Sequence, residues 1–308
     1  MKHEAFLQKT ARYGILLATI IWGSAFVVMK TAIDTIPIFY LLAIRFLAAA
    51  LLLGICLLPR WKALDRSYFR WGGWMGVFLF LAYATQTFGL QDTMPSVNAF
   101  LTTIYCVLVP FFAWVAAKKR PDRYHLLAAV LCVIGVGLIS LDGSSVIALD
   151  RGTLLTLLSG CMFAAHIVVL SKGAEGRDVF LLTAIQFAVA GLLGAVCGML
   201  WEPFPTIWSE KMTVQLFYLT VFCTVITLSL QALGQKYTDP SAASVLLSLE
   251  SVFAVIFSIL FYGDRPNLQH FCGFALIFFA VICSETKLSF FRKRKSGVPW
   301  DAAQGPGE

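Results

Sequence analysis

The sequence predicts an all-α integral membrane protein of ten transmembrane helices, arranged as two inverted five-helix repeats. Three observations predict it: a composition suited to lipid, a one-sided distribution of basic residues, and an internal duplication. Of the 308 residues, 59% are apolar and 13% charged, and the mean hydropathy is +0.79. Soluble domains average roughly 45–50% apolar and about 25% charged residues. The net charge of +7 does not gather into one basic face. Its lysines and arginines sit between apolar runs, as topology signals do, which argues against a nucleic-acid partner.

A spanning helix needs roughly 20 mostly apolar residues, and the chain offers ten such runs in order. The first, 11–32, follows Lys2, Lys9 and Arg12. It lacks a small-residue cleavage site and carries Trp22 and Lys30, so it reads as a retained helix rather than a leader. Pro37 separates it from the second, 38–58, which ends at Pro59. The third covers 71–91, and Pro95 opens the fourth, 96–117. After Pro121 comes the fifth, 124–141, closed by Asp142-Gly143. The sixth, 152–171, stops before Gly173 and Gly176, and the seventh, 179–200, before Pro203 and Pro205. The eighth spans 212–235, the ninth starts at Pro240 and runs to 262, and the tenth covers 268–286 beyond Pro266. Proline and glycine are the punctuation expected between such runs. The domains are therefore 11–141, 152–287, and a basic, disordered cytoplasmic tail at 288–308.

With the N-terminus inside, 19 of the 24 basic residues fall on the cytoplasmic side. Only four lie outside: Lys30, Arg151, Lys211 and Arg265, with Arg45 alone away from the ends of a span. Such a split follows the positive-inside rule and places both termini in the cytoplasm of a plasma-membrane protein. The cluster Arg292-Lys293-Arg294-Lys295 suits anionic lipid of the inner leaflet. Trp61, Trp71, Trp74, Trp201 and Trp208 suit the aromatic belts. The eight cysteines all lie in apolar runs without metal spacing, and read as small buried hydrophobes.

Shifting the chain by about 141–145 residues superimposes one half on the other. Ala43-Ile44-Arg45-Phe46 meets Ala184-Ile185-Gln186-Phe187, Gln86 meets Gln231, and Pro95-Ser96 meets Pro240-Ser241. Arg120-Pro121 meets Arg265-Pro266, and His125 meets His270. An odd number of spans per copy makes the second copy enter from the opposite side. Inverted repeats are typical of secondary transporters, whose site lies near the midplane between the halves.

The run Trp22-Gly23-Ser24-Ala25-Phe26 resembles the opening of EamA-type members of the drug/metabolite transporter superfamily. Leu108-Val109-Pro110-Phe111, with Trp114 and Lys118-Lys119-Arg120-Pro121, is similar to the end of that family's fourth helix. Leu249-Glu250-Ser251-Val252-Phe253 through Tyr262-Gly263-Asp264-Arg265-Pro266 is similar to its ninth helix and following loop. The resemblance covers 11–287. It departs at Glu250-Ser251, where the family often has Glu-Pro, and at Lys119, where it often has an acid. The resemblance implies a proton- or gradient-driven carrier or exporter of amino acids and other small metabolites, with a central cavity between two five-helix bundles.

Ionisable groups in lipid cost roughly 2.5–3.5 kcal/mol on insertion scales and are functional candidates by default. Two roles fit Glu250: a proton-coupling carboxylate on the cavity, or half of a structural ion pair with Arg45. Arg45 and Gln186 fit helix bridges or snorkelling side chains, with contact to substrate as the alternative. Asn98, Thr102 and Tyr105 recur at helical spacing and form one polar stripe, with Tyr105 the repeat partner of Glu250. Ser241, Ser244, Ser248 and Ser251 form a packing stripe of small residues on the ninth helix. His166 fits either a proton relay or a hydrogen-bonded packing histidine. Gln86 and Gln231 fit either amide bonds to a zwitterion or interhelical bonds. Trp22, Phe26 and Met29, like Tyr83, fit a pocket wall or ordinary packing.

No zinc-protease, nucleophile-elbow or phosphate-loop motif is present. An enzyme, a metal or cofactor site and an ATP-driven pump are therefore not expected. The partners expected are a small-molecule substrate, membrane lipid and protons, in a monomer or homodimer. An importing carrier is the alternative within the class; a membrane enzyme or lipid-responsive sensor is the alternative outside it.

Overall fold

The computed structural model describes residues 2–118, 120–142, 146–147, 149–206, 208–237 and 240–286. The expected tail at 288–308, with its basic cluster, lies outside the described residues, as does Lys119. The first half contains α1 (Lys2–Ala32), α2 (Ile38–Cys56), α3 (Arg66–Asp92), α4 (Pro95–Thr102), α5 (Tyr105–Ala117) and α6 (Arg123–Ser140). A short ribbon pairs β1 (Leu141–Asp142) with β2 (Val146–Ile147) and leads into the second half. There α7 (Arg151–Gly173) and α8 (Val179–Trp201) precede α9 (Glu210–Phe217), a π-helical stretch at Tyr218–Ile226, and α10 (Thr227–Tyr237). Then come α11 (Pro240–Phe257), a π-helical turn at Ser258–Tyr262, and α12 (Leu268–Thr286).

Among the described residues, seven helical segments are long and apolar enough to cross a membrane. Leu246–Tyr262 and Leu268–Ser284 are apolar but shorter. The 27-residue α3 is the remaining long helix. Large apolar side chains face outward along these segments, with Val115 85%, Val133 72% and Leu268 79% exposed, while Arg45 is 1% exposed. A soluble fold has the reverse distribution; this is the surface of a multi-pass membrane protein.

The expected fourth helix is not continuous. Thr103 and Ile104 form a turn between α4 and α5. Three consecutive β-branched residues, Thr102 to Ile104, crowd the preceding turn, and the Thr103 hydroxyl bonds the Ala99 carbonyl at 2.9 Å. Glu250 lies inside unbroken α11, and the helix changes character only at the π turn beyond Phe257.

The helices pack α3 on α7 and α8, α2 on α8, α6 on α12, and α1 on α10 and α11, with α5 on α7. Polar side chains close the helix ends. Lys30 Nζ donates to the carbonyls of Leu90, Gln91 and Thr93 at 2.6, 2.9 and 3.0 Å, placing a cation at the negative end of α3. Glu202 accepts from Phe39 N at 2.8 Å and so caps α2 from the end of α8. Buried Asp264 accepts from Ser96 Oγ at 2.7 Å and from Ser258 Oγ, tying the π turn to the start of α4. The serines Ser248 and Ser251 are buried, as packing positions are; the side chains of Ser241 and Ser244 lie outside those described.

Candidate substrate cavity

Helices α1, α2, α3, α4, α5, α7, α10 and α11 each contribute to one cavity of about 60 Å³. A single water needs roughly 10–15 Å³ on this measure, so the space holds a few waters or a small solute. One wall is apolar, from Trp22, Phe26 and Met29 of α1. The rest carries polar groups that the sequence scatters over more than two hundred positions.

The α1 motif Trp22-Gly23-Ser24 sets one side of this wall. Trp22 Nε1 donates to the Cys223 carbonyl at 3.0 Å. Ser24 Oγ lies 2.6 Å from the Tyr218 hydroxyl. At Gly23, an added Cβ would sit 2.5 Å from Phe253 Cβ and 2.9 Å from the Ala254 nitrogen, so only glycine lets α1 and α11 approach this closely. Three successive residues thus lock α1 against both the π-helical stretch and α11.

Arg45 reaches the cavity from α2. Its Nε donates to Thr224 Oγ1, and its Nη2 donates to the Cys223 carbonyl at 3.0 Å. The guanidinium carbon lies 4.7 Å from the ring centre of Tyr83, within cation–π range. Both acceptors belong to the π-helical stretch, where the Thr224 hydroxyl in turn donates to the Leu219 carbonyl at 2.7 Å. π-helical turns recur at functional sites because they break the ordinary register of backbone groups. Here the Cys223 carbonyl serves two side-chain donors, Trp22 and Arg45.

Glu250 also lines the cavity and makes no hydrogen bond or ion pair among the described residues. The structural pairing of Glu250 with Arg45 is therefore not formed; backbone and hydroxyl oxygens of the π-helical stretch take the guanidinium instead. His166 is 2% exposed, with Nε2 2.8 Å from Gln186 Oε1. Gln86 Nε2 donates to Thr102 Oγ1 at 3.2 Å, whereas Gln231 makes no hydrogen bond among the described residues. Tyr83 and Tyr105 both pack on Phe163, at ring-centre distances of 5.4 and 6.1 Å.

Eight of the nine expected cavity residues therefore meet on one space: Trp22, Tyr83, Gln86, Thr102, Tyr105, His166, Gln231 and Glu250. Asn98 does not. Its amide donates to Thr156 Oγ1 at 2.7 Å and to the Gln86 carbonyl at 3.3 Å, which ties α4 to α7 and α3. Thr102, one turn further along α4, and Tyr105 beyond the turn both line the cavity, whereas the Asn98 amide is taken up by Thr156 and α3. The sequence favours bridging or snorkelling for Arg45 over substrate contact, and does not place it among the cavity residues; the structure does. The available signal is its standing as the one basic residue well away from the ends of a predicted span.

The sequence profile of the EamA-like transporter family matches residues 10–141 and again 150–286. The chain belongs to the EamA-like transporter family. It is a membrane transporter. The family's relatives include a protein of Archaeoglobus fulgidus named an uncharacterized transporter, 31% identical over 278 residues, covering 88% of this chain and 84% of that protein. The Bacillus subtilis uncharacterized transporter YvbV is 26% identical over 306 residues, covering 97% of this chain and 99% of its own. One crystal structure shares the fold with a TM-score of 0.66 at 17% identity, over 94% of this chain and 99% of that one.

Proposed function

We propose that this EamA-like transporter exports amino acids or similar small metabolites across the plasma membrane by alternating access. In this reading the chain crosses ten times with both termini in the cytoplasm, and its two five-helix halves are inverted around the cavity. One observation carries the reading: a single cavity receives side chains from five helices of the first half and three of the second. A site shared between two halves opens to either side when one rocks against the other.

Further support comes from the pairing of helices. Let residues 11–141 and 152–287 exchange roles, so that α1 stands for α7, α2 for α8, and α3 for the α9–α10 segment. The α4–α5 segment then stands for α11, and α6 for α12. The contacts α2 on α8 and α6 on α12 map onto themselves. Those of α3 on α7 map onto α10 on α1, and those of α1 on α11 map onto α7 on α5. Two successive matches to one family profile agree with the same duplication.

Purified full-length protein in liposomes, tested with a panel of radiolabelled amino acids and small metabolites, is expected to move at least one of them across the bilayer. Chemical conversion of a solute without flux would sink the proposal in favour of an enzyme. Medium from overexpressing cells, compared with control medium for all small metabolites, is expected to show the exported compound enriched. Depletion of that compound instead would reverse the direction to import.

A further inference from the structure

We infer that Arg45 is the docking point for a free carboxylate on the transported solute, held ready by the π-helical stretch Tyr218–Ile226. This rests on the transport reading above and names the solute class within it.

The guanidinium is buried at 1% exposure and no carboxylate among the described residues pairs with it. A buried charge without a counter-ion is expensive in a bilayer and needs a reason. Helix bridging does not supply one, because the repeat-related position bridges with a neutral amide: Gln186 reaches His166 at 2.8 Å. What distinguishes Arg45 is charge together with orientation. Of the five N–H groups of a guanidinium, the protein engages one on Nε and one on Nη2 through the π-helical stretch, and a further one with the Tyr83 hydroxyl. The Tyr83 ring centre lies 4.7 Å from the guanidinium carbon. Arg45 also borders the cavity, so a planar fork with unused donors is presented there, the shape that a carboxylate matches in a bidentate fashion.

Two neighbours narrow the solute further. Thr87 borders the same space with its hydroxyl buried and without a hydrogen-bond partner among the described residues, as expected of a donor awaiting a polar ligand. Glu250, also unpaired among the described residues, is the only acidic residue among them that lines the cavity. One cation and one carboxylate on the same small space suit a solute carrying a single negative charge with an ammonium beside it. It disfavours a phosphate dianion, whose second charge would meet no partner. Trp22, Phe26 and Met29 offer the body of the solute an apolar wall.

The test uses the detergent-purified full chain, with heat stabilisation as the binding signal, and the proteinogenic amino acids and their carboxamides as ligands. At least one amino acid is expected to stabilise the protein. Its carboxamide, which keeps the shape and loses the charge, is expected to bind about 100-fold more weakly, as when one partner of a buried charge pair is removed. In Arg45→Gln the acid and amide are expected to converge to within about threefold. A purely structural Arg45 would lower the unliganded melting temperature and leave the acid-to-amide ratio unchanged; that result overturns the inference. Equal binding of acid and amide by the unaltered protein also overturns it. If Arg45→Gln does not fold, Arg45→Lys decides: the charge remains but the fork is lost, and a ratio equal to that of the unaltered protein counts against the docking role. Liposome flux of some other solute, with no amino acid bound, overturns the carboxylate site and leaves the transporter standing. Absence of flux for every solute removes the transport reading itself.

Discussion

Glu250 is a carboxylate inside a membrane helix with no hydrogen-bond or ion-pair partner among the described residues. A group whose role were purely structural would be expected to hold something. A group that exchanges a proton with the passing solution needs access instead, and the cavity supplies it. Glu250→Gln preserves shape and hydrogen-bonding capacity while removing the exchangeable proton. Flux driven by a pH gradient is expected to fall to background in this variant, with protein amount in the membrane unchanged. Counterflow exchange of unlabelled for labelled solute is expected to survive at saturating solute, because the glutamine oxygen still accepts from an ammonium, with a raised half-saturating concentration. Loss of counterflow even at saturating solute, together with proton-driven flux, would make Glu250 a packing residue rather than a coupling one. His166 is the rival proton carrier on the same cavity, but its Nε2 is committed to Gln186. His166→Asn is therefore expected to retain a response to the pH gradient.

At the scale of elements, the legible and the hidden parts of the chain separate by cause. Runs of apolar residues bounded by Pro37, Pro95, Pro121, Pro203 and Pro240 announce helices, because both the apolar requirement and the break are local properties. The π-helical stretch Tyr218–Ile226 left no such mark. Its apolar composition suits an α-helix equally well, and the wider turn is set by what packs against it, namely Arg45, Trp22 and Ser24 from distant parts of the chain. Asn98 is hidden for a related reason: its place on the polar face of α4 is a local property, but the Thr156 hydroxyl that holds its amide comes from α7, 58 residues away. Close approaches are equally tertiary. Gly135 of α6 and Gly273 of α12 face each other, and a Cβ on Gly273 would lie 2.8 Å from the Gly135 carbonyl oxygen. Neither helix reaches the cavity. Gly273→Leu is expected to cost about 1–3 kcal/mol through overpacking, seen as a lower melting temperature in detergent. The KM of the surviving protein should stay within about twofold of the original, since distant sites act independently. A large change in KM with unaltered stability would mean that the α6–α12 pair takes part in solute binding.

For the whole molecule, the proposed inversion of the halves has the most consequences, and it makes a prediction that hydropathy alone does not. The loop between α1 and α2 holds exposed Thr35, and the loop between α7 and α8, its counterpart under the repeat, holds exposed Glu175. Likewise exposed Lys62 follows α2 and exposed Thr206 follows α8. In a parallel duplication each pair of counterparts would share a face of the membrane; in an inverted one they lie on opposite faces. Basic residues crowd near Lys62 and Glu175 and are sparse near Thr35 and Thr206, which by the positive-inside rule assigns the first two to the cytoplasm. Single cysteines at these four positions, in a background lacking the eight native cysteines, can be reacted in intact cells with a maleimide that does not cross membranes. Thr35→Cys and Thr206→Cys are expected to label from outside, and Lys62→Cys and Glu175→Cys only after the cells are permeabilised. Labelling of Thr35→Cys and Glu175→Cys from the same side would refute the inversion. It would also remove the physical basis for alternating access, because the exchange of open faces depends on the two halves being equivalent and opposed around the space that Arg45 and Glu250 share.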